Sequence, residues 1–222
     1  MPGPRRRLDE RQIISQAFAV LEQSGFDGLS VRAVTARLQI SAGALYTYFG
    51  GKQQLLRAMV EQLLDDLEPR RSLDEPTWQE GLRSLALRTR ERLNATSGAV
   101  SLVMSGPLDG PHALAYNEVL LAHFTRAGLA IEDAARAAYT FQVYVLGFSA
   151  LQAADATTSS GVSEVDLERE RAESLTAWDV SAFPLTARTG AVVAGYNATG
   201  QFLWGIDRVI AGLVPATRDD GD

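Results

Sequence analysis

The chain has 222 residues, is 46% hydrophobic and 22% charged, and carries a net charge of −6. That is the composition of a globular protein with enough apolar material for a core that needs no staples. The absence of cysteine and the presence of only two histidines, His112 and His123, exclude a disulfide framework, a thiolate zinc site, an iron–sulfur cluster and a cysteine nucleophile, and argue against a histidine-rich metal centre. No cofactor, metal ligand or catalytic residue is expected. No stretch approaches the ~20 consecutive apolar residues of a membrane span. Arg5-Arg6-Arg7 is followed by the charged run Leu8-Asp9-Glu10-Arg11-Gln12 instead of an apolar export segment. The reading is a soluble, unexported, cytoplasmic protein.

Charge is unevenly spread. Residues 1–60 hold eight basic and four acidic residues, a balance of +4, which leaves −10 for the remainder. A basic head on an acidic body assigns two jobs to two segments, and the head could face a polyanion.

Residues 9–24 carry Ile13, Ile14, Ala17, Phe18 and Leu21 on one helical stripe, with Asp9 and Glu10 at the dipole-favoured start and Gly25 as the stop. Asp27-Gly28 makes a turn. Ser30 then caps a short helix bearing Val31, Val34 and Leu38, which Gln39-Ile40 breaks. Ser41 caps a second short helix, Ala42 to Tyr48, which Gly50-Gly51 ends. Lys52 opens a longer helix through Leu55, Leu56, Met59, Val60, Leu63, Leu64 and Leu67, closed by Pro69. Pro76 in a first turn starts the next helix, with Trp78, Leu82, Leu85, Ala86 and Leu93. Ser97 caps Gly98 to Ser105, and a further helix runs from about His112 to Arg126. Ile131 to Ala154 reads as a long, mostly apolar helix. Residues 155–183 read as a loop enclosing a short exposed helix over the charged run Glu164 to Glu173. Pro184 to Val193 and Gln201 to Leu213 close the chain. No run alternates with period two, so the fold class is all-α.

Two short helices joined by a tight turn, about residues 30–49, form a helix-turn-helix unit, whose second helix normally lies in the DNA major groove. Here that helix begins with the small residues Ser41, Ala42, Gly43 and Ala44. Its backbone can therefore approach base edges and phosphates closely. Leu45 and Phe49 face inward. Tyr46, Thr47 and Tyr48 remain for the outside, their hydroxyls for phosphate and the Thr47 methyl for a thymine methyl. No Arg, Lys, Asn or Gln lies on this helix, so the commonest bidentate base contacts are missing.

The run Gly25-Phe26-Asp27-Gly28-Leu29-Ser30-Val31-Arg32, followed by Leu45-Tyr46-Thr47-Tyr48-Phe49-Gly50-Gly51-Lys52-Gln53-Gln54-Leu55-Leu56, resembles the N-terminal domain of TetR-type transcriptional regulators. There a G-x-x-x-[ST]-x-R stretch precedes L-Y-x-[HY]-F-x-x-K-x-x-L-L. The resemblance covers roughly residues 8–65. It implies that Tyr46 and Tyr48 contact phosphates or sugars and that Thr47, Gly43 and Ala44 approach base edges. It also implies that Lys52 holds a phosphate and that Ser30 and Arg32 touch backbone or a flanking base. Lys52 is the one lysine beside twenty arginines. The packing alternative for Tyr46 and Tyr48 is a supporting role in a three-helix head, and Arg5 to Arg7 are either a solvated tail or an arm that tracks phosphates.

The body resembles the ligand-binding domain of the branch nearest the tetracycline repressor, in Trp78-Gln79 and in Phe202-Leu203-Trp204-Gly205-Ile206-Asp207-Arg208. That implies a homodimer on a palindromic operator, with helices at about 131–154 and 200–214 of both subunits forming a four-helix bundle. The implied domains are 1–67, which bind DNA, and 68–222, which bind an effector and dimerise. Met104, Tyr116, Phe124, Phe141, Tyr144 and Phe148 are the candidate pocket lining; aromatics at helical spacing also serve as core. Where the tetracycline repressor has its metal-linked histidine, this chain has an apolar residue near Leu102. The drug-holding asparagine and phenylalanine fall near Leu85 and Thr89. Magnesium-bound tetracycline is therefore not expected, and the replacements point to an uncharged, more hydrophobic effector. The implied function is a repressor released by a small, fairly apolar molecule. The alternatives are an activator of the same fold, a helical small-molecule carrier or enzyme, and a dimeric protein-binding module.

Overall fold

The computed structural model describes residues 8–158, 163–175 and 181–214. Among them the regular structure is helical, with no strand. By its contacts the chain divides at Ala138/Tyr139 into two compact units.

The first unit opens with α1 (Glu10–Gly28), capped by the Asp9 carboxylate on the N–H of Gln12 and interrupted at Gly25, whose φ of 66° only glycine adopts readily. Ile13, Ala17 and Leu21 are fully buried. α2 (Val31–Leu38), α3 (Ala42–Tyr46) and α4 (Lys52–Asp65) follow. Gln39, in the left-handed region at φ 56°, makes the turn between α2 and α3. A 3₁₀ segment, Pro69–Asp74, then lies under α5 (Trp78–Asn94) and α7 (Pro111–Arg126). Thr77, not Pro76, caps α5, in a reciprocal box with Glu80. Before α6 (Ala99–Ser105) the capping position is Gly98 and not Ser97. Its φ is 79°, and a Cβ there would stand 2.7 Å from Leu21 Cδ1.

α8 (Ile131–Thr158) continues into the second unit. There α9 (Glu164–Leu175) packs against α11 (Gly190–Ala194). The helix expected over Pro184–Val193 is broken at Thr189, so that α10 (Pro184–Arg188) and α11 are separate turns. α12 (Thr199–Leu213) buries Phe202, Ile206 and Ile210. No helix among the described residues is long and apolar enough to cross a membrane.

Candidate nucleic-acid interface and effector-binding body

Each helix of the helix-turn-helix is capped locally at its start. The Ser30 hydroxyl accepts from Ala33 N at 3.1 Å, and the Ser41 hydroxyl accepts from Ala44 N at 3.2 Å. Between them Ile40 N donates to the Thr35 carbonyl at 3.1 Å, closing the C-terminus of α2 behind the left-handed Gln39. Arg37 holds α2 against α1 through Gln16 (2.9 Å) and Gln23 (3.2 Å). That tie needs partners fourteen and twenty-one residues away, so sequence reasoning missed it.

Leu45 and Phe49 are buried, and this fixes which side of α3 faces out. Ser41, Ala42, Gly43, Tyr46 and Thr47 are exposed, and Ala44 is half-exposed. A Cβ on Gly43 would meet nothing nearer than 3.8 Å, so the start of α3 is open on the outside. Thr47 donates its hydroxyl to the Ala44 carbonyl at 2.7 Å. What it presents outward is a methyl group and an oxygen able to accept. Arg32 is exposed on the first turn of α2.

Tyr48 departs from expectation. It is half-buried, and its hydroxyl donates to the Leu8 carbonyl at 2.7 Å. The proton expected to reach a phosphate is used to hold the start of the chain against the second helix of the motif. Arg5 to Arg7, just ahead, lie outside the described residues.

Lys52 is exposed at the first position of α4, with its ammonium 5.6 Å from the centroid of the Phe26 ring. The ring steadies the cation without neutralising it. Gly51 caps α4 with no side-chain bond, so the positive end of the helix dipole stands beside the one lysine.

In the body part of the first unit, Tyr116 and Phe124 are buried, whereas Met104 at the end of α6 is 65% exposed. Leu85 and Leu102 are fully buried. Thr89 donates to the Leu85 carbonyl at 2.8 Å and lies 3.1 Å from the Tyr116 hydroxyl, which is thereby the donor of that second bond. Burial pushes the Tyr116 phenol up to about 12, against the opposing pull of the Arg88 charge. Arg88 donates from Nη1 to the Leu67 and Glu68 carbonyls, at 2.8 and 3.1 Å. Its Nε and Nη2 are buried without a partner. Sequence reading gave no sign of this arginine. Elsewhere in the unit a cleft of about 310 Å³ opens among Ile14, Phe18, Gln62 and the Arg92–Asp66 ion pair.

In the second unit Phe141 is fully buried. Tyr144 and Phe148 pack on Phe202, with ring centroids 5.9 and 5.0 Å away, and the Tyr144 hydroxyl donates to the Phe202 carbonyl at 3.1 Å. Here the aromatic spacing builds the seam between α8 and α12.

Comparison with known proteins agrees with this architecture. The family profile described as "Bacterial regulatory proteins, tetR family" matches residues 13–59, and "Tetracyclin repressor-like, C-terminal domain" matches residues 71–216. The chain is similar to the HTH-type transcriptional repressor DrrR1 of Streptomyces coeruleorubidus, 25% identical over 214 residues that span 95% of this chain and 79% of that protein. It is also similar to the crystal structure of a possible TetR family transcriptional regulator from Streptomyces coelicolor A3(2), with a TM-score of 0.77 and 28% identity over 92% of this chain and 98% of that one. The structure of Streptomyces coelicolor ActR in complex with actinorhodin shares the fold, with a TM-score of 0.77 and 20% identity over 93% of this chain and 96% of that one.

Proposed function

The chain belongs to the TetR family of bacterial transcriptional regulators, and on that footing we propose that it is a cytoplasmic repressor that grips a palindromic operator as a homodimer and releases it when a small effector enters the body. The family consists of regulators, not enzymes.

The observation that carries the reading is the joint exposure of two helix starts. The small residues of α3, held by the Ser41 cap, and Lys52 on the uncapped start of α4 lie outward on the same head. The first supplies close backbone approach to a groove and the second a cation with free helix N–H groups for phosphate. Ser30, Arg32, Tyr46 and Thr47 flank them. A head spanning residues 1–67 and an effector-binding, dimerising body spanning 68–222 follow from this reading. Dimerisation through α8 and α12 is supported by their exposed apolar side chains. Tyr139, Val143, Leu151 and Trp204 are 71, 50, 64 and 61% exposed, more than isolated surface residues require. The repressor sense is supported by the name of the Streptomyces coeruleorubidus relative.

The test is selection of bound sites from random duplex DNA, with the mass of the free protein measured by light scattering. The expected outcome is a dimer and an enriched inverted repeat with half-sites one or more turns apart, at ~34–36 Å per turn. A protein that enriches no duplex overturns the reading.

A further inference from the structure

We propose that Arg88 is an anion receptor inside the effector-binding body, and that the effector is an apolar molecule bearing one carboxylate. This rests on the regulator reading above and replaces the uncharged effector expected from the sequence with an acidic one.

A guanidinium is permanently charged and carries five N–H donors in a rigid plane. In Arg88 one nitrogen, Nη1, is used by the Leu67 and Glu68 carbonyls. The other edge, formed by Nε and Nη2, is shielded from solvent and has no hydrogen-bond partner. Those two nitrogens present parallel N–H groups, the spacing that a carboxylate accepts side-on through both oxygens. Two carbonyls reduce the local polarity problem but bring no negative charge. Among the described residues Arg88 forms no ion pair. The carboxylate of Glu68 itself lies 2.7 Å from Arg71, and that of neighbouring Asp66 lies 2.7 Å from Arg92. Arg88 as a whole is half-buried, but donors shielded from water without a partner are costly to the fold. Such a cost is retained where a ligand brings the missing charge.

The surroundings fit an amphipathic acid. Arg88 acts electrostatically on the Tyr116 hydroxyl, which is buried and held neutral. Tyr116 is therefore no counter-ion. Leu85, one turn back on α5, is apolar and fully buried. A molecule entering along the α5–α7 seam would meet hydrocarbon and one fork of two charged donors. The same guanidinium also grips the carbonyls of Leu67 and Glu68, just past the end of α4. A carboxylate drawn to its free edge would thus act on the residue that ties the head helix to the body.

The experiment uses the full chain and paired probes: benzoate, 3-phenylpropanoate, 1-naphthoate and 2-naphthoate, each against its methyl ester and primary amide. Melting temperature and release from the selected duplex are both followed at pH 7.5. One or more acids should raise the melting temperature and release DNA at concentrations about ten to a hundred times lower than their esters and amides, as expected for two charge-assisted bonds. Arg88→Met should abolish the preference for acid over ester. Arg88→Lys keeps a charge and a donor for the Leu67 and Glu68 carbonyls but lacks the fork. It should stay folded and respond to the acids about tenfold more weakly. The proposal is overturned if no acid in the panel acts, if esters act as well as acids, or if the acid response survives in a folded Arg88→Lys protein undiminished. Failure of the regulator reading is seen separately, as an absence of any enriched duplex, while the melting shifts still report on Arg88.

Discussion

The carboxylate of Glu61, on α4, accepts a hydrogen bond from the backbone N–H of His112 at 2.7 Å, at the first turn of α7. Its other oxygen accepts from Ala113 N at 3.2 Å. α7 has glycine, Gly110, at its own capping position, so the cap is supplied by a residue some fifty positions earlier. A Cβ on Gly110 would lie 2.3 Å from the Glu61 carboxyl carbon, and only glycine leaves the carboxylate room. Arg57 pairs with Asp109 at 2.8 Å, and Asp65 lies 3.3 Å from His112 Nδ1. Residues 57, 61 and 65 are each four apart, one row along α4, and all grip the segment 109–113.

Glu61→Ala should therefore cost about 0.5–2 kcal/mol of stability, the range for a lost helix cap. Glu61→Gln should cost less, because one amide oxygen still accepts. Urea unfolding of the three proteins measures this. Equal stability of Glu61→Ala and the parent would show that the cap is supplied from elsewhere.

His123 gives the stability a pH dependence of predictable sign. It is fully buried, and Ser72, which donates to the Pro69 carbonyl at 2.8 Å, lies 2.9 Å from His123 Nε2 and accepts from it. Nδ1 is buried and unpartnered. Burial, reinforced by the Arg126 charge, brings the imidazole down to about 4 from its ordinary 6.5. The folded state resists protonation, so the unfolded chain binds more protons between those values. Stability is complete above pH 6.5 and declines as pH falls from 6.5 to about 4, by on the order of 3 kcal/mol. Denaturation midpoints in that window should lose most of this slope in His123→Gln. A mutant with the parent's slope would assign it to other groups.

Gly81 lies where α5 meets that histidine. A Cβ there would stand 2.2 Å from His123 Cε1 and 2.6 Å from the Ser72 carbonyl oxygen, and the second of these is backbone that cannot swing away. Gly81→Ala, ordinarily favourable within a helix, should destabilise by about 1–3 kcal/mol or more. Thermal unfolding decides, and a stabilised Gly81→Ala protein would mean that α5 and α7 separate at little cost.

On DNA, Lys52 and Thr47 should separate position from sequence. Lys52→Ala should weaken all duplexes about equally and reduce the magnitude of the salt slope by about two per dimer. Thr47→Ala should cost roughly 1–3 kcal/mol per lost base contact on the preferred site and relax specificity there. Since the Thr47 hydroxyl proton is held by the Ala44 carbonyl, Thr47→Ser isolates the methyl group. An unchanged salt slope in a folded Lys52→Ala protein would remove the phosphate role.

What could be read from the sequence was local. Ser30 and Ser41 cap the helices they precede because the bond spans three residues, and the Gly25 stop follows from one residue's torsion. The 3₁₀ segment Pro69–Asp74 was not legible, since its Ser72 is fixed by His123, fifty-one residues on. Thr77 and Glu80 carried a readable capping box that the more conspicuous Pro76 obscured. In the head, motif positions located the outward face, but a half-buried Tyr48 that donates to Leu8 depends on a contact across forty residues. Arg88 and Glu61 are ordinary surface-type residues in a sequence. Their roles come only from what the tertiary fold sets beside them.

α4 packs on α1, α6 and α7, and leaves through Glu68, whose backbone sits at φ 45° and whose carbonyl, with that of Leu67, is held by Arg88. For anyone grafting a different operator-reading head onto this sensor, residue 67 is thus the wrong place to splice. A junction there would part Glu61 from the α7 start that it caps. The transplant has to leave α4 with its host and cross over at Gly50-Gly51, or bring the segment 109–113 along with the foreign α4.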